Sequence, residues 1–120
     1  MRHKSDIELV AEFWGYKYVP ADTGFKYLTR GYRGHYMIEI RDGTIQRLTK
    51  SEFRFDVSWD WLIPTIKKAR ITPVKYRYDF TEIDYGIESA DIKKTYTKLV
   101  EFVKWYNKYY PNGYVHETEI

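Results

Sequence analysis

The sequence predicts an α+β fold, in which three helices pack on a mostly antiparallel sheet in the order αβββαββα. Apolar residues recur at helical spacing in three segments and alternate with polar residues in several shorter ones. Glycine-containing turn signals separate the first of these shorter segments, which is typical of hairpins. This order of elements favours the layered α/β/α sandwich of an antiparallel sheet over a doubly wound parallel sheet.

The first helix is predicted from Ser5 to about Trp14. Ser5 and Glu8 fit a capping box, in which the two side chains satisfy backbone N–H groups at the start of a helix. Gly15 is placed to end the helix, because glycine tolerates the left-handed backbone that closes many helices. Residues 16–24 are predicted to form a loop.

A β-meander is predicted next. Two glycines between its first two strands allow a tight reversal. Asp42-Gly43 is the strongest short hairpin signal in the chain and sends the third strand back along the second. The three strands are predicted at residues 25–30, 35–40 and 44–48, and a further extended piece at 52–55.

The second helix is predicted to begin near Ser58, with Asp56 or Ser58 as its cap. Pro64 lacks an N–H group, so we expect it to kink this helix or to start its main part after a first turn. Residues 74–80 alternate apolar and polar side chains and are predicted to form the clearest strand. Residues 83–87 alternate in the same way and are predicted to be its hairpin partner.

The third helix is predicted from about Ala90 to Tyr109, with Ser89 as its cap and Pro111-Asn112-Gly113 as its stop. Spacings of three and four residues place six side chains along one stripe that faces a sheet or another helix. These side chains are Ile92, Tyr96, Leu99, Val103, Tyr106 and Tyr110. Residues 114–120 are predicted to be a short edge strand or a flexible tail.

The 120 residues contain no linker-like or low-complexity stretch and no cysteine. We therefore expect a single domain over residues 1–120, with 1–4 and 114–120 flexible. The lack of cysteine excludes disulfides and thiolate zinc sites, and it is compatible with a reducing compartment. No secretory signal or membrane-spanning window is visible, so we expect a cytoplasmic location without a membrane partner.

Few residues indicate metal or enzyme chemistry. The three histidines are far apart in the sequence, so neither a metal site nor a cofactor is predicted. The motifs of serine hydrolases, phosphate-binding loops, dinucleotide-binding folds and zinc proteases are missing. Asp56 and Asp60 can be paired as acid and base, but the helix N-terminus that they flank explains them as well. The sequence leaves enzymatic activity open, leans against it and indicates no catalytic residue.

Arginines alternate with aromatic residues across the first predicted turn. Aromatic rings stack on bases and guanidinium groups bind phosphates, so this loop is suited to a nucleotide, another small anion or single-stranded nucleic acid. The candidate ligand-binding residues are Arg30, Tyr32, Arg33, His35 and Tyr36. The alternative is a plain hairpin turn with solvated side chains, and the net charge of +3 is too small to argue for nucleic-acid binding by itself.

Three apolar side chains lie off the predicted core-facing sides of the helices, and they are Leu9, Trp61 and Trp105. Exposed tryptophan is enriched in interfaces, so these residues predict a homo-oligomer or a surface that binds a partner protein. The alternative is that neighbouring segments of the same chain cover them.

Residues 11–16, 58–64 and 100–107 together resemble a group of small uncharacterised proteins encoded by bacteriophages and prophages. That group is similar in layout to the phage ABA-sandwich domain. The segment Ser58-Trp59-Asp60-Trp61-Leu62, followed by Pro64, is the most specific part of the resemblance. It implies a layered α/β/α arrangement and a viral or mobile-element origin, and it brings no activity or catalytic residue.

The resemblance suggests an anti-defence role, because phages keep many short proteins that blunt host defence. The sequence therefore predicts a non-enzymatic phage-type binding protein that sequesters a small anionic ligand such as a nucleotide messenger. One alternative is a protein-interaction module that binds and inhibits a host protein through its tryptophan surfaces. Another is a nucleic-acid-binding protein.

Overall fold

The computed structural model describes residues 4–19, 35–39, 42–74 and 77–111. Within these residues the fold is α+β, with one three-stranded antiparallel sheet and four α-helices. The α+β class and the antiparallel sheet are confirmed, whereas an additional helix is found where two strands were predicted after the second helix. The chain divides into two compact units, Met1–Phe53 and Arg54–Ile120. The single domain and the layered sandwich stay predictions.

The first unit contains one α-helix, the sheet and a short 3-10 helix. Ser5 and Glu8 form the predicted capping box, and Gly15 ends the helix. Gly15 has a φ of +134°, a backbone angle that favours glycine. The elements are α1 (Asp6–Trp14), β1 (Lys17–Val19), β2 (His35–Glu39), β3 (Ile45–Leu48) and the 3-10 helix Lys50–Glu52.

The hairpin between β2 and β3 forms as predicted. The Asp42 carboxylate accepts a hydrogen bond from the Thr44 N–H at 2.9 Å, and Gly43 has a φ of +88°. The two strands pair antiparallel in a register that places Tyr36 opposite Leu48. β1 pairs with the other edge of β2, so the strand order is β1-β2-β3.

Two predictions for the first unit are wrong. Residues 17–19 lie in the predicted loop at 16–24 but form β1, which pairs antiparallel with β2. β1 has three residues, too few to show the alternation from which strands are predicted. Residues 52–55 do not continue the meander, because Thr49 and Glu52 form a second capping box that starts the 3-10 helix.

The second unit contains three α-helices and their connections. The first begins after Ser58 as predicted, and the Leu62 N–H donates to the Ser58 carbonyl at 3.0 Å. Pro64 lies inside this helix, which continues on both sides of it. The Thr65 hydroxyl donates to the Trp61 carbonyl at 3.0 Å in the same stretch. The helices are α2 (Trp59–Ile71), α3 (Thr81–Glu88) and α4 (Ile92–Tyr109).

The strands predicted at 74–80 and 83–87 are wrong. The described residues of the first segment have no regular secondary structure, and the second segment lies within α3. Ile83 and Ile87 are four residues apart, so their spacing fits one side of a helix as well as alternation in a strand. Ile83 is 1% exposed whereas Tyr85 is 58% exposed, and a strand would place both on the same face.

The start of α3 depends on Asp79. Its carboxylate accepts hydrogen bonds from the Thr81 hydroxyl at 2.5 Å and from the Thr81 N–H at 2.9 Å. These bonds, chiefly the one from the hydroxyl, hold the pKa of Asp79 below its ordinary value. A carboxyl with a depressed pKa stabilises the folded state above its unfolded pKa, and this contribution is lost as the pH falls through the folded pKa.

We therefore expect acidification below about pH 4 to loosen the first turn of α3. Thr81→Val removes the hydroxyl donor, so it should raise the pKa of Asp79 towards its ordinary value. Carboxyl-carbon NMR titration measures that pKa, and amide hydrogen exchange at residues 81–84 measures the loosening. An Asp79 pKa that does not respond to Thr81→Val would contradict this account of the helix start.

α4 is confirmed, but it begins later than predicted. Asp91 is its cap and accepts a hydrogen bond from the Lys94 N–H at 3.0 Å. Ser89, the predicted cap, instead ends α3, and Ala90 between them has a left-handed φ of +53°. Part of the predicted stripe is half-buried, namely Ile92, Tyr96, Tyr106 and Tyr110. The buried side chains of α4 are Thr95, Leu99, Val100, Phe102 and Val103.

Candidate functional site

The structure describes the predicted ligand loop in part. Three of its candidate ligand residues lie outside the described residues, namely Arg30, Tyr32 and Arg33. The strand predicted at 25–30 lies outside them as well. His35 is the first residue of β2, is half-buried and pairs with Val19 of β1. Tyr36 is 1% exposed, so its ring belongs to the core of the first unit. Binding of a small anion or of nucleic acid by this loop stays a prediction.

A buried carboxylate holds the Tyr36 side chain. The Tyr36 hydroxyl donates to Glu8 Oε2 at 2.5 Å, and Glu8 is 5% exposed. Glu8 Oε1 accepts from the Ser5 N–H and the Ser5 hydroxyl, both at 3.0 Å, and the Lys50 ammonium lies 3.6 Å from it. The Tyr36 ring packs edge-on against Phe53 with the ring centroids 5.2 Å apart. Since these groups bind one another and link α1 to β2, the arrangement is structural.

The three predicted interface residues lie in different surroundings. Leu9 is half-buried in α1. Trp61 is half-buried in α2, and its ring packs edge-on against Phe55 with the centroids 5.1 Å apart. Trp105 is half-buried in α4 among other aromatic rings of its unit. Neighbouring segments of the chain thus contact both tryptophans, and a role for all three residues in an interface stays a prediction.

Trp105 belongs to a cluster of aromatic rings. Five of the rings recur along one side of α4 and its C-terminal cap, Tyr110, at spacings of three and four residues, and these are Phe102, Trp105, Tyr106, Tyr109 and Tyr110. The Trp105 ring centroid is 5.9 Å from that of Phe102 and 5.6 Å from that of Tyr109. Tyr78 belongs to the connection before α3, and its ring centroid is 4.9 Å from that of Phe102 and 5.0 Å from that of Trp105. We call Tyr78 and the five rings of α4 the aromatic face.

The aromatic face extends from the core to the surface. Phe102 is buried, Trp105 and Tyr106 are half-buried, and Tyr109 is 52% exposed. The sequence carries a signal for this face, because the five residues of α4 follow helical spacing. The predicted stripe obscured that signal, since it is centred on Leu99 and placed Trp105 on the opposite side of the helix.

Lysines lie near part of the aromatic face. The sequence of α4 contains five lysines and one glutamate. The Lys108 ammonium lies 5.7 Å from the centroid of the Tyr109 ring, and Lys98 pairs with Glu101 at 3.2 Å. The result is a surface of aromatic rings with a basic rim.

Residues 4–19, 35–39, 42–74 and 77–111 contain no group of three or more His, Asp or Glu side chains that is arranged to hold a metal ion. None of the helices in the described part of the chain combines the length and the apolar character that crossing a bilayer requires.

No protein-family model, curated protein or solved structure matches this chain.

Proposed function

We propose that this protein is a non-enzymatic binding protein that engages another protein through the aromatic face. The proposal is carried by one observation, that contacting rings extend from buried Phe102 to Tyr109, which is 52% exposed. Tyrosine and tryptophan are enriched at the centres of interfaces, because each buries a large rigid area at a small entropic cost. Packing of α4 against its own unit accounts for Phe102 but does not require a tyrosine that reaches solvent two turns later.

The charge around the aromatic face indicates the chemistry of the partner. Lys104 and Lys108 are exposed in the C-terminal half of α4, one turn apart on the same side of the helix, and the Lys108 ammonium lies near the Tyr109 ring. Carboxylates facing such a rim accelerate encounter more than they strengthen the final complex. We therefore infer a partner surface with an apolar centre and acidic edges, whose association rate falls as the salt concentration rises.

Tyr109→Ala should weaken partner binding by about 2 kcal/mol, or roughly thirtyfold in Kd, because it truncates a ring at the centre of the proposed interface. Tyr85→Ala is the matched control, since Tyr85 is 58% exposed but lies on α3 outside the aromatic face. Capture from a bacterial-host extract on the immobilised protein identifies the partner, and interferometry with the purified partner then measures both variants.

Light scattering over a concentration series distinguishes a second copy of this chain from a different protein as the partner. A mass above that of the monomer, lowered by Tyr109→Ala and unchanged by Tyr85→Ala, identifies a second copy of this chain as the partner. Equal capture by Tyr109→Ala and the wild type would contradict the proposal. A protein that stays monomeric in light scattering and captures no partner from the extract would also contradict the proposal.

The phage resemblance suggests the origin of the partner. We propose that the partner is a host protein in the host cytoplasm and that its inhibition serves an anti-defence role. The support is that residues 100–107, one of the segments that carry the resemblance, contain Trp105 of the aromatic face. Expression of the wild type in a host that carries phage defences should then raise plaque counts, and expression of Tyr109→Ala should not. Equal plaque counts for the two proteins would remove the anti-defence role.

A further inference from the structure

A groove in the second unit has the size of a small-molecule site. Its volume is about 530 Å³, within the range that is typical of ligand pockets. Its walls come from the last turn of α2, the connection before α3 and the first turn of α3. Two guanidinium groups, two carboxylates and two aromatic rings line it, from Arg70, Arg77, Asp79, Asp84, Tyr78 and Phe80.

Three of the four charged groups of the groove bind other groups of the protein. Arg70 forms an ion pair with Asp84. Asp79 accepts both hydrogen bonds of Thr81 at the start of α3. Arg77 is exposed, and it makes no hydrogen bond or ion pair with any residue that the structure describes. Among the described residues that line the groove, Arg77 is therefore the cation that is available to a ligand.

Tyr78 supplies a second available donor. Its hydroxyl has no hydrogen-bond partner within the described ranges. Desolvation raises the pKa of Tyr78, so the hydroxyl stays protonated at neutral pH and can donate. The rings of Tyr78 and Phe80 have centroids 5.3 Å apart, and the Arg70 guanidinium lies 5.2 Å from the centroid of Phe80. These contacts form a fixed aromatic wall beside the two donors.

We propose that this groove binds a small anion carried on a planar ring, the chemistry that a nucleoside monophosphate shares with an aromatic carboxylate. The Arg77 guanidinium and the Tyr78 hydroxyl donate to the anionic group, and the planar ring packs against the aromatic wall. The two carboxylates of the groove balance its two guanidinium groups. Because the charges of the described lining residues sum to zero, we expect the groove to favour a ligand of low charge over a nucleoside triphosphate.

Titration of the isotope-labelled full chain, followed by amide NMR shifts, tests the proposal. The probes are adenosine and guanosine monophosphates, the corresponding triphosphates, 4-hydroxybenzoate and inorganic phosphate. We expect saturable shifts at residues 77–81 with a monophosphate or with 4-hydroxybenzoate, and the comparison of these two distinguishes the sources of the ring. We expect weaker binding of the triphosphates and of inorganic phosphate.

Arg77→Gln should raise the Kd of the groove for the ring-bearing anion roughly tenfold or more, because it removes a charge-assisted donor pair. Arg54→Gln is the matched control, since Arg54 is an exposed arginine of the same unit that does not line the groove. Tyr109→Ala should leave this binding unchanged, so failure of the protein-docking proposal is distinguishable from failure of this one.

Three results would overturn the proposal. The first is the absence of saturable shifts at 77–81 with every ring-bearing anion. The second is an affinity that Arg77→Gln leaves unchanged. The third is binding of inorganic phosphate as tight as that of the monophosphates, which would show that the ring contributes nothing.

Discussion

Glu8→Ala is expected to lower the free energy of unfolding by about 3 kcal/mol. The substitution removes a carboxylate that accepts the Tyr36 hydroxyl at 2.5 Å and both donors of Ser5 at 3.0 Å. It therefore abolishes the capping box of α1 and the link from α1 to β2 at the same time. The space left beside a 5%-exposed residue adds to the loss, because buried side chains relax only in part around a cavity. Urea unfolding followed by circular dichroism measures the change.

The chain contains a matched control for Glu8→Ala. Glu52 occupies the same capping-box position relative to Thr49, but it is exposed. Glu52→Ala should therefore cost much less, because its carboxylate stays hydrated and, within the described part of the chain, links no second element. Equal losses of stability for Glu8→Ala and Glu52→Ala would contradict the structural role assigned to the buried carboxylate.

Tyr36→Phe isolates the hydroxyl of the same contact. A hydrogen bond to a charged group contributes about 2 kcal/mol, so Tyr36→Phe should cost about that much in the wild type and less in the Glu8→Ala background. The difference is the coupling between the two side chains. A coupling near zero would show that the 2.5 Å contact contributes nothing to stability.

Gly86→Ala is expected to destabilise the second unit by about 2 kcal/mol, although alanine favours a helix more than glycine does. Gly86 is buried in α3 where α3 approaches α4. A Cβ atom at Gly86 would overlap the Thr95 hydroxyl and would lie 3.2 Å from both Cα and N of Thr95. The Thr95 side chain can rotate away, but the backbone of α4 cannot shift without disturbing the buried residues around it. Thermal unfolding followed by circular dichroism at 222 nm measures the loss.

Thr95→Ala provides the control for Gly86→Ala. It removes the hydroxyl that the new methyl group would meet, and it also removes the hydrogen bond that this hydroxyl donates to the Asp91 carbonyl at 2.7 Å. The further cost of Gly86→Ala should be smaller in the Thr95→Ala background but should not vanish, because the backbone contacts at 3.2 Å persist. A Gly86→Ala protein as stable as the wild type would contradict this account, because it would show that α3 and α4 can accommodate the methyl group without cost.

Short-range signals predicted several elements correctly. The capping box of Ser5 and Glu8 and the cap at Ser58 mark the starts of α1 and α2, and Asp42-Gly43 marks the turn between β2 and β3. Each of these signals acts through hydrogen bonds or backbone angles within about four residues. Such interactions do not depend on the rest of the fold, so they can be read from the sequence.

The period of apolar residues was ambiguous where the segment was short. Ile83 and Ile87 satisfy both a helix and a strand, and the helical reading is correct. The close approach of Gly86 to Thr95 shows what favours the helix, since α3 needs a surface without a side chain to pack against α4. That partner surface is formed by residues outside the segment, so the local pattern could not reveal it.

The candidate sites were predicted unevenly for the same reason. Trp105 was identified because it lies off the predicted stripe of α4, and a position around a helix is a local property. The aromatic face to which Trp105 belongs was not identified. The groove was not identified, because Arg70 lies in the last turn of α2 while Tyr78 and Phe80 belong to a segment predicted to be a strand. Residues that meet across separate segments carry no common spacing in the sequence.

By itself, the sequence determined the α+β class, the starts of α1 and α2, the hairpin turn and the long helix α4. The tertiary structure alone decided that 17–19 pair as a strand, that 83–87 form a helix, and which side of α4 is buried. The physical reason is the range of the interactions. Caps and turns are satisfied by neighbours in the chain, whereas a buried face is defined by the surface that covers it.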